Sequence, residues 1–208
     1  MDWYFHEILA AQKGYNTVCG IDEAGRGPLA GPVYAAAVIL PYGLEIAGIN
    51  DSKKLSENKR EALFDIITSK ALAFCIASAD EHEIDEINIL NATFLAMRRA
   101  FDGLDIKPDA ALVDGNQDPK LDMPSICIVK GDAASASIAA ASILAKVSRD
   151  RFMLGLDVQY PQYAFSQHKG YPTKQHYANI LKYGISPVHR ISFLKNIEEK
   201  RAFFENIK

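Results

Sequence analysis

Two kinds of hydrophobic pattern alternate along the 208 residues. Short apolar runs bounded by glycine, proline or polar clusters predict strands at 17–22 (TVCGID), 33–40 (VYAAAVIL), 72–78 (LAFCIAS), 110–114 (AALVD) and 125–129 (SICIV). Elsewhere apolar residues recur about once per helical turn. Leu90, Phe94 and Met97 predict a helix over about 84–101. Ser56, with glutamate in the first turn, opens another over 56–71. Residues 3–13 suggest a short amphipathic helix, and Asp132 leads into a long Ala/Ser-rich one, SASIAAASILAKVSRDRFMLGLDVQY. After Pro161 the chain turns polar and aromatic, then regains helical character at 173–183 and from about 192 to 206. The expected architecture is α/β: a mixed five-stranded sheet with helices on both faces. No repeat, linker or composition shift divides the chain. Residues 1–208 are therefore expected to form one domain, with a helical C-terminal extension from about 160.

Composition narrows the class. Hydrophobic residues make up 49% and charged residues 24%, as in ordinary globular proteins. No apolar run approaches the roughly 20 residues a bilayer requires, so no membrane association is expected. The N-terminus lacks the basic and apolar regions of a signal peptide. Cys19, Cys75 and Cys127 are odd in number and set among apolar neighbours, which points to free thiols and a cytoplasmic location. The net charge of -3 argues against a nucleic-acid binder until its distribution is considered. Residues 1–120 hold 11 Lys and Arg against 19 Asp and Glu, whereas 121–208 hold 12 against 7. A locally basic face is compatible with a polyanion. Part of the acidic excess is the run Asp80 to Glu86, which reads as a solvated helix start.

Four carboxylates stand at the ends or edges of predicted elements: Asp22, Glu23, Asp114 and Asp132. Hard divalent cations take oxygen ligands, and such a site needs carboxylates converging from separate parts of the chain. Strand ends next to glycine are where ligands meet in open α/β sheets. Asp22 and Glu23 are adjacent, and adjacent strand residues face opposite ways. They share a site if the strand ends there, as the following Ala-Gly-Arg-Gly suggests. Taken singly, Asp114-Gly115 also fits a turn and Asp132 a helix cap.

The blocks DEAGRGPLAGPV, DSKKLSENKRE, VDGNQ, KGD leading to AAASILAKVSRD, and HKGYPTKQHY together resemble the ribonuclease HII family, in order from about Val18 to Ser192. The resemblance implies a ribonuclease H-like fold and an endonuclease that cuts the RNA strand of RNA–DNA hybrids. It also implies incision at single ribonucleotides embedded in duplex DNA. By position it assigns the acidic site to Asp22, Glu23, Asp114 and Asp132, and substrate contacts to Gly25, Arg26, Gly27 and Tyr171. Asp150 of the SRD triplet belongs to the same pattern, but its place inside a helix between two arginines suits an ion pair.

These assignments imply hydrolysis with divalent magnesium or manganese, leaving 3′-hydroxyl and 5′-phosphate ends. Only the 2′-hydroxyl distinguishes the two sugars. Glycines let backbone groups approach it, and the Tyr171 ring offers a flat face for the next deoxyribose. Lys53, Lys54, Lys146, Lys169 and Lys174 are candidates for phosphate contacts. His168 and His176 are candidates for proton transfer or phosphate contact, without zinc-ligand spacing. The expected partners are the hybrid and ribonucleotide-containing DNA, and a monomer is expected. The rival reading is another metal-dependent DNA nuclease or resolvase on the same sheet, which has no use for a 2′-hydroxyl reader. A nucleotide-binding loop is weaker, because GRGPLAG lacks both the GK[ST] ending and the G-x-G-x-x-G spacing.

Overall fold

The computed structural model describes residues 3–49, 52 and 55–197. Five strands form one sheet: β1 (Val18–Ala24), β2 (Val33–Ile39), β3 (Ala73–Ala79), β4 (Ala110–Asp114) and β5 (Ser125–Ile128). Their order is β3-β2-β1-β4-β5. β1, β2 and β3 pair antiparallel, whereas β1–β4 and β4–β5 are parallel. The sheet is mixed, as expected, and β1 lies at its centre.

The helices are α1 (Phe5–Gln12), α2 (Glu57–Lys70), α3 (Glu81–Asp102), α4 (Ala136–Gln159), α5 (Phe165–His168) and α6 (Lys174–Tyr183). On one face of the sheet, Cys19, Ile21 and Val113 pack against Ala92, Ala96, Met97 and Ala100 of α3. On the other, Ala36 and Val38 meet Ala139, Ala140, Ile143 and Leu144 of α4, with Leu63 and Ile67 of α2 behind them. β2 is covered on both sides, which is why its sequence runs apolar without alternating. Gly20 sets how closely α4 lies on β1, since a Cβ there would fall 2.1 Å from the Ser137 carbonyl carbon.

Two elements differ from expectation. α3 begins at Glu81, earlier than the apolar spacing from about 84 predicts, and the reciprocal capping box of Asp80 and Glu83 makes the acidic run its start, as expected. It is broken at Asn88, whose φ of 66° is non-helical and whose Oδ1 accepts from the Leu90 and Asn91 N–H groups. Asn88 thus caps a second helical segment, which apolar spacing alone does not reveal. At the start of the C-terminal helix expected from about 192 to 206, the chain makes a 3₁₀ turn at Ile191–Phe193, and most of the expected span lies outside the described residues. Residues beyond 197 lie outside the described residues.

The chain from Pro161 onward packs on the body through Tyr163, Phe165, Ile180 and Leu194, which meet Leu29, Ala30, Met153 and Leu156. The segment after β1 hangs from this C-terminal part. Ala30 bridges His189, Leu29 N–H donates to Gly170 O, and Gly31 N–H donates to Val188 O.

Candidate active site

The parallel pairing of β1 with β4 sets Ile21 opposite Val113, so Asp22 and Asp114 emerge side by side one residue later. β1 does not stop at Asp22. It continues to Ala24, with Glu23 still paired to Ala35. The expected strand end therefore comes two residues late, and Asp22 and Glu23 leave the sheet on opposite faces. Glu23 lines a small cleft of about 140 Å³ on the α3 side, with Arg26, Thr93, Phe94, Asp114 and Asn116. Asp22 is buried on the α4 side, near Ser142.

Asp22 and Asp114 are held by backbone donors. Asp22 Oδ1 accepts from Glu23 N–H at 2.7 Å. Asp114 Oδ1 accepts from Gly131 N–H at 2.7 Å and lies 3.4 Å from Asp132 N. Asp132 is buried in the 3₁₀ turn Gly131–Ala133, next to Asp114. The cap of α4 belongs to Ser135, which accepts from Ile138 N–H, so Asp132 is not the cap of that helix. Ser142 bonds Ser52 at 2.8 Å, tying α4 to that residue. Burial, then the neighbouring charges of Glu23 and then Asp114, push the Asp22 pKa well above the usual carboxylate range. Crowded, desolvated carboxylates of this kind are stabilised by a bound cation, and an all-oxygen donor set suits a hard divalent ion. Asp22, Glu23, Asp114 and Asp132 thus fit the metal in donor chemistry. Among the described residues, however, no three such side chains already stand as a closed cage.

The glycine-arginine-glycine turn follows directly. Gly25 has φ +98°, and a Cβ on it would land 2.0 Å from Arg149 Nε, so only glycine fits. Arg26 and Gly27 are exposed. Arg26 reaches back to Glu23 at 3.5 Å, an ion pair open to solvent and correspondingly weak. A Cβ on Gly27 would stand 3.8 Å from Tyr171 Cε1, so the turn and the Tyr171 ring are neighbours. Tyr171 is 39% exposed, with Arg149 and Lys146 at 5.7 and 5.9 Å from its ring centroid.

The other candidates fall differently. Lys53 and Lys54 lie outside the described residues. Lys146 pairs with Asp150 at 2.7 Å, and Arg60 approaches the same carboxylate at 3.8 Å, so Asp150 takes the expected structural ion pair. Lys169 Nζ donates to Ser166 O at 2.5 Å. Lys174 is exposed at the start of α6.

His168 and His176 are not open to phosphate. Both are buried, in a stacked array with His189. The hydrogen-bond network assigns each ring one proton. His168 accepts from Gly170 N–H on Nδ1 and donates from Nε2 to Tyr163 O. His189 accepts from Ser186 on Nδ1 and donates from Nε2 to His176 Nε2, leaving His176 Nδ1–H for Tyr171 O. Burial first, then the neighbouring His168, pulls His176 down to about 3; burial pulls His189 down to about 4. The trio supports the Tyr171 backbone as a neutral scaffold.

Sequence reasoning missed Ser142, Arg149, His189 and Arg190. Arg149 carried a detectable signal. It falls with Ser142, Ala145, Met153 and Leu156 at three- and four-residue spacing, a lone charge on the buried stripe of α4. Arg190 carried none.

The family model described as Ribonuclease HII matches residues 19–196. A ribonuclease HII of Dechloromonas aromatica is 62% identical over 176 residues, covering 85% of this chain and 90% of the relative. The crystal structure of ribonuclease H2 from Pyrococcus horikoshii superposes with a TM-score of 0.73 at 30% identity, over 88% of this chain and 98% of that one. Bst-RNase HIII in complex with Mn2+ shares the fold at a TM-score of 0.71 and 19% identity, over 94% of this chain and 72% of that one.

Proposed function

This chain belongs to the ribonuclease HII family, and on that premise we propose that it hydrolyses the RNA strand of RNA–DNA hybrids and incises duplex DNA on the 5′ side of embedded ribonucleotides. The observation that carries the second activity is the adjacency of three parts. The acidic residues at the end of β1, the Gly25-Arg26-Gly27 turn and the Tyr171 ring are neighbours at the carboxyl end of the central strand. A duplex laid across that strand end places a phosphodiester at the carboxylates and the adjoining sugar at the turn.

Asp22, Glu23, Asp114 and Asp132 would hold the divalent metal in this scheme, with the longer Glu23 side chain reaching round the end of the strand from the opposite face to Asp22. When bound, a pair of magnesium or manganese ions supplies an activated water and offsets charge on the leaving 3′ oxygen. The chain's own groups do the rest. The Glu23 N–H orients Asp22, and Gly131 N–H orients Asp114. The turn presents backbone to the ribose. Tyr171 packs against the following deoxyribose, where a 2′-hydroxyl would crowd the ring. The surrounding arginines and lysines favour the polyanion.

The test uses a DNA duplex carrying one ribonucleotide, with magnesium or manganese. A single cut 5′ to the ribonucleotide, leaving 3′-hydroxyl and 5′-phosphate ends, is expected. An intact duplex, equal cutting of all-DNA, or a 2′,3′-cyclic phosphate product would refute it. Asp114→Asn is expected to abolish the cut without unfolding the chain.

A further inference from the structure

Two fully buried guanidinium groups lie beneath the Gly25–Pro32 segment, and neither takes part in an ion pair among the described residues. Their acceptors are main-chain carbonyls. Arg190 Nε donates to Gly31 O at 2.8 Å, while its two terminal nitrogens donate to Arg26 O at 3.0 Å and Gly25 O at 2.7 Å. Arg149 takes Pro32 O, Ala30 O and, from the opposite side, Lys169 O. Five carbonyls of one eight-residue segment are thus held by two side chains. Burying a charge on carbonyls alone is costly. Burial, then the neighbouring Arg149 charge, draws the Arg190 pKa down to about 9, which leaves it charged at neutral pH.

The geometry points to Arg190 as the positioning residue for ribonucleotide recognition. The inference rests on the proposed role of the glycine-arginine-glycine turn. A trans peptide is planar, so its N–H points opposite to its C=O. Arg190 draws the Gly25 and Arg26 carbonyls inward, and therefore aims the Arg26 and Gly27 N–H groups outward. Among the described residues neither N–H has an acceptor within the chain, and both residues are exposed. They form two successive donors facing solvent beside Tyr171, suited to an oxygen-rich ligand such as a ribose hydroxyl or the adjoining phosphate. The guanidinium fork matters more than its charge, because two fixed donors orient two successive peptide planes. A lysine in its place has neither the planar fork nor the reach to both carbonyls.

The test compares wild type, Arg190→Ala and Arg190→Lys on two substrates, a DNA duplex with a single ribonucleotide and a uniform RNA–DNA hybrid. A lone ribonucleotide offers one sugar to be found in register, whereas a hybrid offers many. The expected result is a loss in kcat/KM of about tenfold to a hundredfold on the single-ribonucleotide duplex. The loss should be carried mostly by KM and be clearly smaller on the hybrid. Arg190→Lys should not restore activity, whereas millimolar guanidinium should partly restore Arg190→Ala. Equal losses on both substrates, or no rescue by guanidinium, would make Arg190 merely structural and overturn the proposal. If Arg190→Ala does not fold, amide NMR of Arg190→Lys decides: the Arg26 and Gly27 amide signals should shift, and unchanged signals refute the clamp. A wild-type enzyme that fails on the single-ribonucleotide duplex would instead refute the proposed function.

Discussion

The position with the most leverage over the site contains no functional group. Gly20 sits in β1 two residues before Asp22, where α4 crosses it. In Gly20→Ala the new Cβ would lie 2.1 Å from Ser137 C, 2.3 Å from Ile138 N and 2.3 Å from Ser137 O, all backbone atoms that no rotamer change can move. Restoring an ordinary carbon–carbon separation of about 3.5 Å requires α4 to withdraw by roughly 1 Å or more. Overpacking of this kind costs about 1–3 kcal/mol. For a chain of 208 residues that corresponds to a fall in Tm of about 2–12 °C. The functional effect should be larger than the loss of stability suggests. α4 carries Ser142 near Asp22 and Arg149 against Gly25. A misplacement of about 1 Å can cost a hundredfold in rate. The assay pairs a thermal melt with kcat/KM on a hybrid well below the variant's Tm. A variant that melts with wild type and cuts at the wild-type rate would refute the claim that this contact sets the register of the site.

Asp22→Asn is expected to abolish cleavage and raise Tm in metal-free buffer. Burial and neighbouring carboxylates raise the folded-state pKa of Asp22, so the folded wild type loses stability as pH rises through that range. The Tm gap should widen from pH 5 to pH 8, and a constant or reversed gap counts against the crowded-carboxylate picture. The buried histidines act at the other end of the scale. His176 and His189 fall to about 3 and about 4 in the folded chain but protonate near 6.5 when unfolded. Their contribution is intact above about pH 6.5 and declines on acidification by up to about 1.4 kcal/mol per pH unit for each ring. Urea denaturation at pH 7, 6 and 5 should show a shallower decline for His176→Gln, and an unaltered slope would refute it. Tyr171→Phe should retain activity on the single-ribonucleotide duplex, while Tyr171→Ala should lose about twofold to tenfold; equal kinetics for the two variants would remove the ring from substrate selection.

The sheet was legible in the sequence because its strands are short, apolar and punctuated by glycine and proline, and the observed bounds differ from the expected ones by a residue or two. The break in α3 was not legible. Apolar spacing continues across Asn88, and the interruption is a local Asx-type bond from Asn88 Oδ1 to Leu90 and Asn91. Nor was the true end of β1. Gly25 marks the turn, but pairing of Ala24 with Tyr34 extends the strand past both carboxylates.

What joins the carboxylates to the sugar-reading turn lies at a longer range than any motif. Asp22 and Gly25 are three residues apart, so chemistry and recognition look like one local unit. Yet the turn's carbonyls are held by Arg190 and those of the segment after it by Arg149, both more than a hundred residues away, through bonds to groups that every residue possesses. A carbonyl acceptor leaves no trace in residue type, which is why Arg190 was invisible beforehand while Asp114 was not. The same fact explains how the fold tolerates two buried guanidiniums that, among the described residues, have no ion-pair partner. They hold the polar backbone of a segment that is tied to no strand of the sheet, and they supply positive charge where a polyanion would arrive. The C-terminal part of the chain is thereby the support that gives the motif its shape.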